Sequence, residues 1–281
     1  MPWPVPASEK RTPEQLREHY EVEKELADRL RAAPKQDRAR LYSELYDELF
    51  RRLPHHPQLS RKADSDEQGK VVAFQMQLLR HFITPETVFL EIGAGDCALT
   101  FEVAKTAKKA IAVEVSAEVT QNKQTPENFE LALSDGSSIP VPNGTATLAY
   151  SNQLIEHLHV EDAKDHLKQV CDALAPGGQY VCITPNGISG PYDVSMYFDE
   201  TPTGFHMKEY SMTELGRMMR QAGFSKVQPV VGAKGRLILA PLWVYSILEG
   251  FLLALPLKLR KKVSRWEPIR KRISVKLVAT K

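Results

Sequence analysis

Residues 88–97 read VFLEIGAGDC, an apolar run that ends in a carboxylate, two glycines around Ala94, and a second carboxylate. Gly93, Gly95 and Ala98 fit a G-x-G-x-x-A turn between a strand and a helix, and Glu114 closes the next apolar run, where a carboxylate can bind ribose hydroxyls. The spacing alone serves a dinucleotide as well as any other nucleoside, and charge separates the two. A pyrophosphate at the helix N-terminus would lie close to Glu91 and Asp96 and be repelled by them. A nucleoside that carries an ammonium and a sulfonium in place of phosphate suits flanking carboxylates.

The elements that must hold this turn follow from periodicity. Residues 12–53 are helical in pattern: Thr12 is an N-cap with Pro13 at the first helical position, and Leu16, Tyr20, Leu26 and Leu30 recur near a 3.6 period. Pro34 breaks that helix. A second one begins near Asp37 and sets Leu41, Leu45, Leu49 and Leu53 on one stripe beside Tyr42, Tyr46 and Phe50, so two antiparallel helices are expected. Residues 59–69 are polar and read as a linker, which divides the chain into a helical extension (1–69) and a main domain (70–281).

In the main domain strands and helices alternate. Helices are expected at 70–82, 97–108, 161–174 and 211–222; strands are expected at 87–92, 110–115, near 129–133, at 145–151, at 179–184 and near 224–231. The closing ISVKLVATK reads as the last strand. This alternation implies an α/β fold: a Rossmann-like, seven-stranded, mostly parallel sheet with helices on both faces and ligands at the carboxyl ends of its strands.

With these pieces in order, the sequence resembles the class I S-adenosylmethionine-dependent methyltransferases over roughly residues 70–232. The matching segments are LEIGAGDC, AIAVEVS, LSDGSSIPVPNGTATLAYSNQLIEHL, ALAPGGQYVCITPN and EYSMTELGRMMRQAGF. The resemblance implies S-adenosylmethionine as cofactor, with Gly93, Ala94 and Gly95 letting backbone approach it and Glu91 or Asp96 holding its methionine end. By the same resemblance Glu114 takes the ribose hydroxyls, Asp135 with Gly136 the adenine edge, and Ser151 and Asn152 line the methyl-donor pocket. An NAD(P)-binding oxidoreductase and a noncatalytic cofactor-binding module are the alternatives; the first lacks a recognisable hydride-transfer site.

Methyl transfer from a sulfonium is an in-line displacement, and a hydroxyl acceptor must also lose its proton. His157, directly after the fourth strand, and His206, ahead of the late helix, are the candidate bases. His159, His55 and His56 lack metal-ligand spacing and read as surface residues, and no metal is expected. Residues 185–210 form a long, aromatic connection in which Tyr192, Tyr197 and Phe198 face the acceptor, with the tyrosine-bearing N-terminal helices as a lid. The expected acceptor is small or lipid-linked, of the glycan, polyprenyl or quinone type, methylated on oxygen.

Residues 237–259, LILAPLWVYSILEGFLLALPLKL, hold a single acid, Glu249, and run into the basic KLRKKVSRWEPIRKR. Pro241 and Pro256 interrupt the run, and the last strand must return to the sheet, so a membrane span is not expected. Two readings stay open: a segment lying on an anionic membrane surface through residues 237–272, or a helical lid packed on the domain. A net charge of +2 over 281 residues gives no field for nucleic acid. Cys97, Cys171 and Cys182 read as buried, reduced thiols. The first ten residues lack an apolar run of signal-peptide length, so a cytoplasmic location is expected.

Overall fold

The computed structural model describes residues 2–7, 9–57, 65–120, 123–233 and 236–281. Helix α1 (Pro13–Ala32) starts as the sequence indicates: Thr12 accepts from the Gln15 N–H at 3.2 Å while the Gln15 side chain returns to the Thr12 N–H at 2.9 Å. Helix α2 (Lys35–Arg52) follows Pro34, and Leu26, Leu30, Leu45, Leu49 and Leu53 are fully buried between the pair and the domain. Each such side chain contributes about 1.5–3 kcal/mol of transfer free energy. Part of the expected linker, residues 59–64, lies outside the described residues. The rest of it is already helical, because α3 (Ser65–Leu79) begins at Ser65 rather than at residue 70.

The remaining order is β1 (Val88–Ile92), α4 (Ala98–Ala104), β2 (Lys109–Glu114), β3 (Phe129–Leu133), β4 (Ala146–Asn152), α5 (Val160–Ala173), β5 (Leu174–Thr184), α6 (Met212–Gln221) and β6 (Lys226–Ala233). β7 (Arg236–Leu239), α7 (Leu242–Ala254), α8 (Leu257–Arg265), α9 (Glu267–Ile273) and β8 (Val275–Thr280) complete it. The strands form one sheet in the order β3-β2-β1-β4-β5-β8-β6-β7. β1 to β5 are parallel, and β8 inserts antiparallel between β5 and β6.

The sheet therefore has eight strands, not the expected seven. The extra one is β7, which takes the first residues of the apolar run and pairs antiparallel with β6 as a hairpin edge. Alternation along the strands divides the core. Leu90, Ile92, Ile111 and Val113 face α5, α6 and the N-terminal helices, while Phe89, Leu148, Tyr150 and Val181 face α3 and α4.

Prolines and Trp266 cut the segment after β7 into three short helices, and no helix of the described residues is long and apolar enough to cross a membrane. Helix α7 packs on α6 through one side. Its only acid, Glu249, is buried and accepts from the N–H groups of Met212 and Thr213 at 2.8 and 2.9 Å, capping α6. Leu242 sits so close to Gly216 that a Cβ there would approach it to 2.6 Å. The other side is bare: Trp243, Ile247 and Phe251 recur every four residues, with Trp243 64% and Phe251 72% exposed.

Candidate functional site

The glycine turn lies beyond the carboxyl end of β1. Gly93 and Gly95 have φ of +73° and +59°, a region in which a Cβ is strained, and the Gly93 N–H donates to the Val113 carbonyl at 3.0 Å. A Cβ on Gly95 would meet open space, whereas one on Gly93 would press on Leu154 at 3.2 Å. The turn is thus open at Gly95 and backed at Gly93 by the short helical turn Ile155–His157 that follows β4. Ala94 is buried beneath it.

Three carboxylates surround the turn. Glu114 accepts from the Gly95 N–H at 3.2 Å and from the Val115 N–H at 3.0 Å, at the end of β2 where the sequence set it. Glu91 is buried and turned toward α4, where the Thr100 hydroxyl donates to it; burial pushes its carboxyl up to about 8, with help from Asp96 and Glu114. Asp96 accepts from the Ala98 N–H at 3.2 Å and from the Gln68 side chain. At the end of β3, Asp135 accepts from the N–H groups of Ser137 and Ser138 at 2.9 and 2.8 Å. Partial burial opposes its ionisation, but these bonds hold it below the usual carboxylate value. Gly136, with φ +92°, packs on α2, since a Cβ would meet Tyr42 at 3.0 Å.

Ser151 and Asn152 point to opposite sides of β4. The Ser151 hydroxyl pairs with that of Tyr180 at 2.6 Å inside the core, while Asn152 lines a cavity of about 990 Å³. This cavity lies between α3, the sheet face and helices α7 and α9. Phe74, Leu78, Ile183 and Tyr245 give it apolar walls, and Arg80, Lys271, Arg272 and Lys276 supply cations around them.

Beyond β4 the structure brings together what the sequence held apart. His157 Nδ1 lies 3.1 Å from the Tyr46 hydroxyl and 3.1 Å from the Phe205 carbonyl, and its ring meets that of His206 edge-on at 4.9 Å. His206 Nδ1 lies 2.7 Å from Glu209 Oε1. Glu156, fully buried, accepts from Thr184 at 2.8 Å. Burial opposes a proton on His206, yet Glu209, Asp193 and Glu156 together push it up to about 9. Burial and the neighbouring His206 push His157 down to about 3, and burial lifts Glu156 to about 7. Spacing named both histidines; Glu156 and Glu209 it did not, although Glu156 stands next to His157 in the chain.

The loop over residues 185–210 packs against α1. Phe198 stacks on Tyr20 at 4.4 Å, Tyr192 bonds Ser189 at 2.8 Å beside Trp3, and Tyr197 is partly buried. His56, expected at the surface, is buried against His19 and Phe50, and burial pushes it down to about 4. His159 caps α5 instead of standing free, and His55 is part-buried near Glu18. All three cysteines are buried and free.

Comparison with known proteins decides between a dinucleotide fold and its relatives. Residues 21–228 match the family model described as a methyltransferase domain. The chain belongs to the class I S-adenosylmethionine-dependent methyltransferases. S-adenosylmethionine is its cofactor, and the match begins inside α1. No curated protein matches the sequence.

Solved structures agree on the fold. A chain of the Haloferax volcanii complex between the Trm112 methyltransferase activator and a methyltransferase superposes with a TM-score of 0.52 at 13% identity, covering 79% of this chain and 96% of its own. A Nostoc punctiforme protein assigned as an O-methyltransferase gives 0.51 at 13%, covering 95% of this chain and 69% of its own. PigF with SAH gives 0.51 at 19%, covering 80% and 69%. At these identities the likeness speaks for the fold alone.

Proposed function

We propose that this methyltransferase acts on an oxygen of an amphiphilic acceptor, small or lipid-linked and of the glycan, polyprenyl or quinone type, and that it meets that acceptor at an anionic membrane surface. The observation that carries the reading is the cavity of about 990 Å³ that Asn152 helps to line, with apolar walls and a cationic rim. Such a lining suits an apolar chain whose head is anionic. The bare stripe of Trp243, Ile247 and Phe251 supports the second half, because a contiguous exposed apolar face marks a binding surface.

In this reading the turn of Gly93, Ala94 and Gly95 cradles the donor, and Glu114 takes its ribose hydroxyls. Asp135 and Gly136 border the adenine, and of the two acids by the turn Asp96 attracts the cationic methionine end, because Glu91 is buried, turned toward Thr100 and keeps its proton. Ser151 holds the end of β4, so that Asn152 faces the acceptor. The acceptor's proton leaves through the cluster of Glu156, His157 and His206, and residues 1–69 act as a lid over it.

The basic residues are not all available to lipid. Lys261 is buried and donates to the Gly190 carbonyl, and Arg265 donates to the carbonyls of Ser189 and Gly190 at 3.0 and 3.1 Å. Lys258, Lys262, Arg270 and Arg272 are exposed. Each cation near an anionic bilayer contributes about 1 kcal/mol, so changing these four to Gln should abolish most vesicle binding while leaving donor affinity untouched. Co-sedimentation with anionic and neutral vesicles at low and high salt measures it. Absence from both pellets at every salt would leave only a lid packed on the domain.

A further inference from the structure

We infer that Glu156, His157 and His206 form a binding site for a divalent cation of the zinc class. The inference relies on the methyltransferase reading only for what the cation does, not for whether it binds. Each residue can offer one ligand atom, and the three atoms lie within 4.8 Å of one another. A tetrahedral ion with nitrogen and carboxylate ligands at about 2.0–2.2 Å needs them roughly 3.4 Å apart, a contraction that side-chain rotation can supply. Two nitrogens and one oxygen favour a borderline metal over calcium or magnesium.

The second observation lies behind the ligands. A carbonyl and a carboxylate only accept hydrogen bonds, so Nδ1 of His157, facing the Phe205 carbonyl, and Nδ1 of His206, facing Glu209, carry the ring protons when the imidazoles are neutral. Both lone pairs then sit on Nε2. This is the arrangement that stands behind metal-bound histidines, where the outer carboxylate or carbonyl fixes the tautomer. Glu156 is completely buried, and its Oε1 has no hydrogen-bond partner among the described residues although Oε2 is held by Thr184. A metal ion would displace the His206 proton and take its place as the cation that this buried oxygen faces.

A neighbouring cluster shows the contrast. His19, Glu23 and His56 lie equally close, but His19 Nε2 bonds Glu23 at 2.7 Å, its Nδ1 meets the Arg11 guanidinium, and Glu23 Oε1 accepts from the Phe205 N–H at 2.9 Å. Arginine already serves as the cation there.

Three protein ligands leave a coordination position for an acceptor oxygen, as in catalytic zinc sites. With the three side chains committed as ligands they no longer take the acceptor's proton themselves; a hydroxyl bound to the cation is more acidic and releases that proton to solvent. Its lone pair then forms the new O–CH₃ bond while the C–S bond breaks, and that electron pair stays on sulfur to give S-adenosylhomocysteine.

The test uses the full chain, stripped with a chelator and titrated with Zn²⁺ by calorimetry, with bound metal counted by mass spectrometry. One equivalent is expected, together with a rise in melting temperature and visible absorption bands when Co²⁺ replaces zinc. Glu156→Gln, which keeps the side chain's shape, and His206→Asn should each remove the uptake. Glu209→Gln should weaken it by about tenfold to a hundredfold through the tautomer it holds. S-adenosylhomocysteine affinity should stay unchanged in Glu156→Gln, which separates a failed metal site from a failed methyltransferase reading. Substoichiometric uptake by the native chain, or equal uptake by the Glu156 and His206 variants, overturns the site. Full turnover after complete chelation overturns its part in the reaction.

Discussion

Replacing Glu114 by alanine removes the carboxylate that joins the end of β2 to the glycine turn. Its two oxygens accept the N–H groups of Gly95 and Val115 at 3.2 and 3.0 Å, so the variant loses both the group assigned to the ribose and the tie that positions Gly95. A hydrogen bond to a charged acceptor is worth about 1.5–3 kcal/mol, which raises the dissociation constant by roughly tenfold to a hundredfold. Glu114 is only part-buried, so solvent screening favours the lower half of that range. Glu114→Gln keeps the shape and loses the charge, and it should fall between the two. Calorimetric titration with S-adenosylhomocysteine measures the effect, with circular dichroism as the check on folding. An unchanged dissociation constant in a folded alanine variant would refute the ribose assignment and, with it, the orientation of the donor on the sheet.

Gly93→Val forces a branched residue to φ +73° and presses it on Leu154, so donor binding should vanish while the sheet survives; retained binding would show that the turn is not the cradle. Glu91, pushed up to about 8 from 4.5, keeps a proton that the unfolded chain loses between those values. The native state therefore binds more protons there, stability falls as pH rises from about 4.5 to about 8, and Glu91→Gln should flatten that slope in urea midpoints; parallel slopes would contradict it. Glu249→Ala leaves the Met212 and Thr213 N–H groups of α6 without their acceptor, and a loss of about 1–3 kcal/mol in denaturant unfolding is expected; a neutral variant would mean that water replaces the cap.

What the sequence made legible was short-range. The glycine turn, its carboxylates and the acid closing β2 sit within 24 residues of chain, and Thr12, Pro13 and Pro34 mark helix ends by local geometry. Strand β7 escaped because its four residues belong to an apolar run that continues into α7, and periodicity does not divide a short strand from a buried helix. Glu249 stood out only as the single acid of that run; its task is set by α6, more than thirty residues away in sequence. Lys261 and Arg265 stood out only as members of a basic stretch, yet they hold the loop at residues 189–190. The histidine cluster was half legible. Its members come from the turn after β4, the loop after β5 and the N-terminal helices, and spacing along the chain carries no information about groups that meet only when β4 and β5 pair.

The most direct measurement incubates the protein with methyl-labelled S-adenosylmethionine and a cell extract divided into organic and aqueous phases, then follows the label by mass spectrometry. A compound in the organic phase that gains one labelled methyl group on oxygen is expected, formed by the native chain and not by Gly93→Val. Label found only on water-soluble, uncharged products, or formed equally by the variant, would contradict it.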